Sequence, residues 1–498
     1  MQKRAFGIET EYSVACLGKN RLFYTDIGHH GQGEAALFLR RVLPLNNSSP
    51  KNLTKLGLFP PIPKHSFWLA SNGARLYFDI NMTIPEYATP ECGNPRETLI
   101  HSLAGNDIME DIRKEVLRLG LLEKYGESKY KDIFVFKMNA HFDGSDLSSQ
   151  NAVGCHENYN TLSELAPNPE RIWEPNHFSD YMVPFLMSRQ IFDGAGGIKL
   201  SADKKWQYVI SQRPFFLDSK LSTRTTAGGG RGFIHFKNEA GEAPFGQTRL
   251  HLHCGDSIMS PWGKFISLAA THLALRAYEE GPRNSWKFKL HPAYFIEDFH
   301  ALASDPALRS AIRVLEGNNE KTFSAIELQK EYINFVEKSL NNFSSEESEM
   351  LASWKSMLGK LKLGYGAVSR ELDWAIKLNF IKEHLGGNFE SKKAKFSSSL
   401  YHDISARGIY NGLLRTGEVL PFCGKNEIEK ARTTPPETRA KFRSRFLKIL
   451  LATGKNNYGY EQWGGFHGLG GETIYLRNPL AETTEEGEKL LEALKSPS

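Results

Sequence analysis

Polar and apolar side chains alternate along several short segments of the chain, which is the pattern of a β-strand with one polar face. In residues 72–79, Arg75, Tyr77 and Asp79 fall on one face, and the apolar residues between them fall on the other. An Asn-Gly dipeptide precedes this strand and predicts a hairpin with the segment before it. The same alternation recurs at Glu9 and Glu11, at His156 and Asn158, and at Arg249, His251 and His253. We therefore predict one sheet that carries these polar side chains on a single face.

Beyond Pro261 the period changes from two residues to between three and four, which predicts helices. These helices are expected over residues 262–280, 326–340, 346–361 and 370–384. Strands early in the chain and helices late are typical of an α+β fold. The last segment has its own predicted helix, strand and short terminal helix. We therefore predict a main domain over residues 1–411 and a small C-terminal domain over residues 412–498.

Two segments have the composition of loops. Residues 46–66 are polar and contain Pro60, Pro61 and Pro63, which predicts a long loop. Residues 227–232 are mostly glycine and form a run flexible enough to move over a ligand.

Composition and charge mainly exclude classes of protein and of binding site. The 498 residues are 40% hydrophobic, which allows a large buried core, and the net charge of +5 is too small to predict binding to nucleic acid or to a membrane. Five scattered cysteines without a C-x-x-C pair disfavour a disulfide framework and a cysteine-based zinc site. No secretory signal or membrane-spanning segment is evident, so we predict a cytoplasmic protein.

Carboxylates dominate the candidate chemistry, because the common nucleotide-binding and hydrolase motifs are absent. The sequence has no G-x-x-x-x-G-K-[ST], no H-E-x-x-H and no G-x-S-x-G, and its glycine runs do not open a helix after a strand. Glu9, Glu11 and Glu86 supply hard oxygen ligands, which suit a magnesium ion that bridges to substrate phosphates. This donor set predicts Mg2+ and ATP.

Two arginines and one aspartate complete the set. Arg75 and Arg231 would neutralise phosphoryl oxygens, although a surface ion pair is the alternative for each. Asp79 ends its strand and is the candidate general base, although it could instead cap the turn that follows.

Eight motifs follow one another from near the N-terminus into the last segment. They are Gly7-Ile8-Glu9-Thr10-Glu11-Tyr12, Asn72–Asp79, Pro85–Cys92, Gly154–Tyr159, Arg189–Ile191, Ser211–Arg213, Leu400–Ile404 and Pro435–Ala440. Together they resemble the Pup ligase and Pup deamidase family over nearly the whole chain.

The resemblance implies both a fold and an active site. The fold is a glutamine-synthetase-like antiparallel sheet that cradles ATP, with packed helices and a small C-terminal domain. The implied roles are magnesium binding by Glu9, Tyr77 and Glu86, ATP contact by Arg75, Thr89 and Trp463, and base catalysis by Asp79. Further candidates for the site are Glu11, His156, Asn158, Arg231 and His251.

The implied reaction joins a small ubiquitin-like (Pup-like) modifier to lysine-bearing proteins. The side-chain carboxylate of the modifier's C-terminal glutamate is phosphorylated by ATP, and a lysine then attacks the γ-glutamyl phosphate to form an isopeptide bond.

Three alternatives stay open on sequence alone. The same scaffold in the deamidase branch would hydrolyse a C-terminal glutamine amide or cut the isopeptide bond, and the segment 92–96 and the loop at 46–66 resemble that branch. A bifunctional or early-branching member belongs to this alternative. A peptide or small-molecule amide ligase is the second alternative. A binding module that holds a peptide tail without turnover is the third, and it is disfavoured because the metal and base residues occur together.

Overall fold

A computed structural model of the chain describes most of its residues. The described ranges are 3–18, 22–24, 38–39, 66–79, 84–125, 130–140, 152–165, 177–222, 231–237, 243–280, 290–455, 459–461, 463–467 and 473–496. The predicted loop at 46–66, except its last residue, and most of the glycine run at 227–232 lie outside these ranges.

The described chain begins with strands and continues mostly with helices. The strands are β1 (Phe6–Glu11), β2 (Ser13–Leu17), β3 (Leu22–Tyr24), β4 (Ser66–Trp68), β5 (Arg75–Asp79), β6 (Ile84–Ala88), β7 (Asp132–Phe136), β8 (Cys155–Leu162), β9 (Gly197–Leu200), β10 (Trp206–Val209), β11 (Ser219–Ser222), β12 (Gly232–Lys237), β13 (Gln247–Leu252), β14 (His291–Pro292), β15 (Ala311–Glu316), β16 (Asn319–Ser324), β17 (Gly459–Glu461), β18 (Gly465–His467) and β19 (Thr473–Tyr475). The helices are α1 (Pro95–Arg118), α2 (Leu121–Tyr125), α3 (His177–Ser188), α4 (Gln190–Asp193), α5 (Pro261–Glu280), α6 (Phe295–Ala303), α7 (Ala325–Ser339), α8 (Ser345–Leu361), α9 (Asp373–Leu385), α10 (Lys392–Leu400), α11 (Ile409–Thr416), α12 (Lys425–Thr433), α13 (Arg439–Thr453) and α14 (Glu485–Lys495).

The largest sheet within the described ranges has eight strands, in the order β11-β12-β13-β8-β1-β6-β5-β4. All neighbouring pairs are antiparallel except β11 with β12, which is parallel. The predicted α+β class is therefore confirmed, and so are the β4–β5 hairpin and the single sheet shared by the four alternating segments. The parallel pair departs from the antiparallel expectation, because residue alternation does not encode strand direction.

One face of this sheet is covered by helices, and the other carries the polar side chains. Alternation places Ile8, Tyr159 and Leu250 on the covered face, where they join a core with α3, α5 and α7. Within the described ranges, no helix is long and apolar enough to cross a bilayer. The helical layer therefore supports the sheet from beneath and leaves its polar face for chemistry.

Helix α1 fixes the central strands in place. Asn94 caps the helix, because its side chain accepts a hydrogen bond from the Glu97 N–H at 2.9 Å. Further along, Gly105 lies against the ring of Tyr87 on β6. A Cβ atom at Gly105 would come within 2.3 Å of that ring, so only glycine permits this close approach. The helix can therefore pack closely against β6, which carries Glu86 on its other face.

The C-terminal segment docks on the edge of the sheet through both apolar packing and charge. Its core, built from α13, α14 and the β17–β19 sheet, includes Trp68. Glu91 accepts hydrogen bonds from Arg439 at 2.6 Å and from Arg443 at 2.7 Å. Burial alone would raise the pKa of Glu91, but the two guanidinium groups hold it at about 2. The division at residues 411 and 412 stays a prediction.

Candidate active site

The strand register places the acidic side chains in two adjacent rows on the polar face. Glu11 of β1 lies opposite Glu86 of β6, which in turn lies opposite Tyr77 of β5. One row away, Glu9 lies between Ala88 of β6 and His156 of β8. Because antiparallel neighbours in register point to the same side, these side chains converge from four strands.

Two overlapping groups on this face have the spacing of metal ligands. One ligand atom from each of Glu11, Asp79 and Glu86 lies within 4.8 Å of the other two, and the same holds for Glu9, Glu86 and His156. Glu86 belongs to both groups. The sheet therefore brings together three of the predicted carboxylates and, in addition, places Asp79 among them.

Glu9 is surrounded by nitrogen donors. Its Oε2 lies 3.1 Å from His251 Nε2 and 3.4 Å from His156 Nδ1, and its Oε1 accepts from Asn158 Nδ2 at 3.2 Å. Arg249 lies 3.5 Å away. Burial alone would raise the pKa of Glu9, but His251, His156 and Arg249 outweigh it, so the pKa lies well below its usual range. Glu9 is therefore ionised.

Glu86 has the opposite environment. It is 2% exposed, and burial, followed by the charges of Glu11, Glu9 and Asp79, raises its pKa well above the usual range. Tyr77 donates its hydroxyl to Glu86, while burial and the adjacent acids raise the pKa of Tyr77 and keep it a neutral donor. Four acidic side chains converge here, and their mutual repulsion raises the pKa of Glu86. A hard divalent cation such as Mg2+ would relieve this repulsion, and carboxylate oxygens are the ligands it prefers.

A cleft adjoins these acids at the start of β1. Its lining includes Gly7, Thr89, Arg249 and Trp463. Thr89 accepts a hydrogen bond from the Ile8 N–H at 3.0 Å, which ties the loop after β6 to β1. Predominantly apolar walls beside a few polar groups are typical of a nucleobase pocket.

Trp463, which lines the cleft, packs against an aromatic residue from the N-terminal part of the chain. Trp463 packs edge-to-face on Trp68 with ring centroids 4.9 Å apart. The guanidinium of Arg75 lies 5.6 Å from the Trp68 ring and 4.5 Å from the Tyr77 ring. The predicted ATP-contacting residues Arg75, Thr89 and Trp463 therefore lie along the edge of the acid cluster that faces the cleft.

Asp79 and Arg231 lie on opposite sides of the sheet. Asp79 is exposed at the end of β5. Burial, together with the nearby charge of Arg231, lowers the pKa of Arg213 to about 10 against the opposing effect of Glu11, which places these two arginines near each other and Arg213 near Glu11. Arg231 directly precedes β12, at the far side of the sheet from β5, so the structure does not bring it beside Arg75.

Arg249, His251 and His253 lie together on this face, as their alternation along β13 predicts. Sequence reasoning missed other members of the site. Arg213 is buried and donates to the His253 carbonyl at 2.9 Å. The motif Ser211–Arg213 contributed to the family resemblance, but Arg213 was not assigned to the site. The Gly154 N–H donates to Glu11, and such a backbone contact has no side-chain signature.

The chain is similar in sequence to Pup ligases over most of its length. A family model described as Pup-ligase protein matches residues 4–458. The chain is 31% identical over 460 residues to a Pup--protein ligase of Geodermatophilus obscurus, and the match covers 90% of each protein. It is 28% identical over 507 residues to a Pup--protein ligase of Actinosynnema mirum, covering 99% of this chain and 100% of the relative.

Two solved structures share the fold. The first is the complex between the prokaryotic ubiquitin-like protein Pup and its ligase PafA, with a TM-score of 0.78, 22% identity and coverage of 99% of this chain and 92% of that one. The second is PafA in complex with ADP, with a TM-score of 0.70, 22% identity and coverage of 91% and 95%. At this level of identity the likeness shows a common fold.

Proposed function

The chain belongs to the Pup-ligase family, and on that premise we propose that it is an ATP-dependent ligase that joins a Pup-like modifier to protein lysines. The bond forms between the side-chain carboxylate of the modifier's C-terminal glutamate and the lysine ε-amine. Relatives named Pup--protein ligase support this activity, and a PafA structure with ADP supports the use of a nucleotide.

The observation that carries the proposal is the order of groups along β1. Gly7 borders the apolar cleft, Glu9 lies among the nitrogen donors, and Glu11 lies with Glu86 and Asp79. Four residues of extended strand span about 13 Å. This length matches a nucleotide whose base lies in the cleft and whose terminal phosphate reaches the acids.

We assign the phosphate-binding roles as the resemblance predicts. Glu9, Tyr77 and Glu86 would hold Mg2+, with Glu11 as a further carboxylate. When bound, Mg2+ would neutralise charge on the transferring phosphoryl group. Arg75 would contact the phosphates as a fixed cation, and Trp463 would cover the nucleobase.

Asp79 would act in the second half of the reaction. The glutamate carboxylate attacks the γ-phosphorus of ATP and ADP leaves, which gives an acyl phosphate. The lysine amine then attacks the acyl carbon, phosphate leaves, and the amine proton passes to a base. An exposed lysine is mostly protonated near neutral pH, so this base is needed. Asp79 is exposed beside Glu11 and Glu86, where a protein lysine can reach it.

The proposal is tested by supplying the chain with ATP, Mg2+, a lysine-bearing protein and a modifier tail that ends in either glutamate or glutamine. Intact mass spectrometry follows both tails. The ligase predicts conjugation of the glutamate form with release of ADP and phosphate, and no product when ATP is omitted.

Two results would overturn the ligase assignment. Loss of ammonia from the glutamine form, without conjugation of the glutamate form, would indicate the deamidase alternative. No change of either tail, with binding retained, would indicate a binding module. The variant Asp79→Asn run in parallel shows whether any observed product depends on the assigned base.

A further inference from the structure

The dipeptide Val153-Gly154 lies directly before β8 and contacts the acid cluster. Both residues are buried. Their backbone N–H and C=O groups therefore need partners within the protein, because an unpaired buried polar group is costly. Asn139 and Glu11 supply the shortest of these hydrogen bonds.

Glu11 holds both backbone groups of Gly154. The Glu11 N–H donates to the Gly154 carbonyl at 3.1 Å, and the Gly154 N–H donates to the Glu11 side chain. The latter is the one hydrogen bond that the Glu11 carboxylate accepts within the described ranges. Hydrogen bonds to an ionised acceptor are stronger than those between neutral groups. This bond therefore fixes the direction in which Glu11 faces Asp79 and Glu86.

Asn139 holds both backbone groups of Val153. The Val153 N–H donates to the Asn139 carbonyl at 2.8 Å, and Asn139 Nδ2 donates to the Val153 carbonyl at 2.9 Å. Arg213 Nη1 makes a longer contact of 3.4 Å with the same carbonyl. Asn139 is only 1% exposed, so solvent does not compete for these bonds. Asn139 therefore sets the position of Val153, and with it the position of the Gly154 N–H.

The side-chain amide of Asn139 is itself held by the loop that follows β13. Its Oδ1 accepts from the Ser257 N–H at 2.6 Å. Further along this loop, Asp373 accepts from the Met259 and Ser260 N–H groups at 2.5 and 2.8 Å. The position of Asn139 therefore requires an acceptor on one side and a donor on the other, which is what an amide supplies.

Gly154 is also constrained from the side of the acids. A Cβ atom at this position would lie 2.1 Å from Nε2 of His156. The His156 ring has little room to move, because its Nδ1 lies 3.4 Å from Glu9 and the ring stacks on His253 with centroids 4.2 Å apart. Only glycine therefore allows the chain to pass this ring and still reach Glu11.

We propose that Asn139 is a positioning residue for the metal-binding acids and acts on Glu11 through Val153 and Gly154. The inference rests on the role proposed above for Glu11, beside Glu86, in holding Mg2+. Residues that orient the ligands of a metal without touching it typically contribute about 10-fold to 100-fold in metal affinity or activity. Without the Asn139 amide, the Gly154 N–H is no longer held in place, and Glu11 is free to turn away from the ion.

The test measures the affinity of the full chain for Mn2+, which replaces Mg2+ at oxygen ligands. Electron paramagnetic resonance follows the unaltered chain, Asn139→Ala, Glu11→Gln and the double variant. Asn139→Ala is expected to bind Mn2+ at least about 10-fold more weakly. In the Glu11→Gln chain the same substitution should change the affinity by less than about 2-fold, because a residue that acts through the Glu11 carboxylate has little left to position.

Asn411→Ala is the matched control. The Asn411 side chain donates to two backbone carbonyls, those of Ile404 and Ser405, and lies outside the site. Its removal should leave the Mn2+ affinity unchanged. An equal loss from Asn139→Ala with and without the Glu11 carboxylate would show a general effect on the fold and would overturn the proposal, as would an unchanged affinity in Asn139→Ala. An unaltered chain that binds no Mn2+ would overturn the metal role of the acids, and the proposal with it.

A second measurement on the unaltered chain applies if Asn139→Ala does not fold. Hydrogen exchange at the amides of Val153 and Gly154 should be strongly slowed, because both N–H groups are buried and bonded. Exchange at the rate of an open loop would show that Asn139 and Glu11 do not hold this dipeptide, and would overturn the proposal.

Discussion

Glu157 and Glu86 are buried on opposite faces of the central sheet, and their pKa values are shifted in opposite directions. On β8, Glu157 points toward the helices, while its neighbours His156 and Asn158 point toward the site. Glu157 contacts Arg189 at 2.7 Å and Lys264 at 3.1 Å. Burial alone would raise its pKa, but these two cations hold it at about 2.

On the polar face, the neighbours of Glu86 are other acids, and its pKa is raised instead. Both carboxylates are almost completely buried, so burial is common to both and the neighbouring charges account for the difference. On the helix side, the charge of Glu157 is balanced by Arg189 and Lys264, so this group of charges stabilises the fold. Around Glu86, the polar face has an excess of negative charge that a bound cation would stabilise. This excess is the physical reason to expect a cation-binding site there.

The largest expected effect is on the polar face, for Asp79→Asn. Loss of a general base lowers the rate of amide formation by about 100-fold to about 10,000-fold, while the fold is kept because Asp79 is exposed. Single-turnover conjugation measures the rate. Asp203→Asn, another exposed aspartate outside the site, is the control. An unchanged rate for Asp79→Asn would remove Asp79 as the base.

On the helix side the expected effect is on stability. Arg189→Met leaves Glu157 and Asp193 with Lys264 alone as a cation, and removal of one member of a buried charge network costs about 3–5 kcal/mol of the free energy of unfolding. Denaturant unfolding measures it. Arg96→Met, which breaks the exposed pair with Glu427, should cost no more than about 1 kcal/mol. Equal costs for the two substitutions would contradict the assigned role of burial.

The two faces should also differ in their response to pH. The folded pKa of Glu157 is about 2, below its ordinary value, so its contribution to stability is complete above about pH 4.5 and is lost as the pH falls toward 2. The size is on the order of 3 kcal/mol. Glu86 has a raised pKa, so the metal-free chain should lose stability as the pH rises from about 4.5 through that value.

Unfolding free energies of the metal-free chain across this range measure both effects. Glu157→Gln should flatten the loss of stability on the acid side of the profile, and Glu86→Gln should flatten the loss of stability toward neutral pH. An unaltered profile for both variants would show that other groups control the pH dependence.

The smallest expected effect is at the cleft. Trp463→Phe keeps an aromatic ring but reduces its area, and should weaken ATP binding by about 0.5–1.5 kcal/mol. Fluorescence or calorimetric titration measures the affinity. Trp262→Phe, at a ring that packs on Phe422 instead, should leave ATP affinity unchanged, and a similar loss there would indicate a nonspecific effect.

Residue alternation predicted the polar face well, because a side chain's face on a strand follows from its sequence position alone. It correctly grouped Glu9, Glu11 and the β5 residues on one sheet. It could not give the order of strands, so the separation of Arg231 from Arg75 was not foreseen. The three-stranded sheet β14-β15-β16 was also missed, since long-range pairing and not local pattern defines it.

The most direct test of the account is the binding of Mn2+, as a paramagnetic stand-in for Mg2+, to the chain and to Glu86→Gln, followed by electron paramagnetic resonance. If the acids of the polar face hold a divalent cation, the unaltered chain binds Mn2+ and the variant binds it at least about 10-fold more weakly, while Glu157→Gln, measured where it is folded, is unaffected. Equal Mn2+ affinity in the unaltered chain and Glu86→Gln would contradict the account.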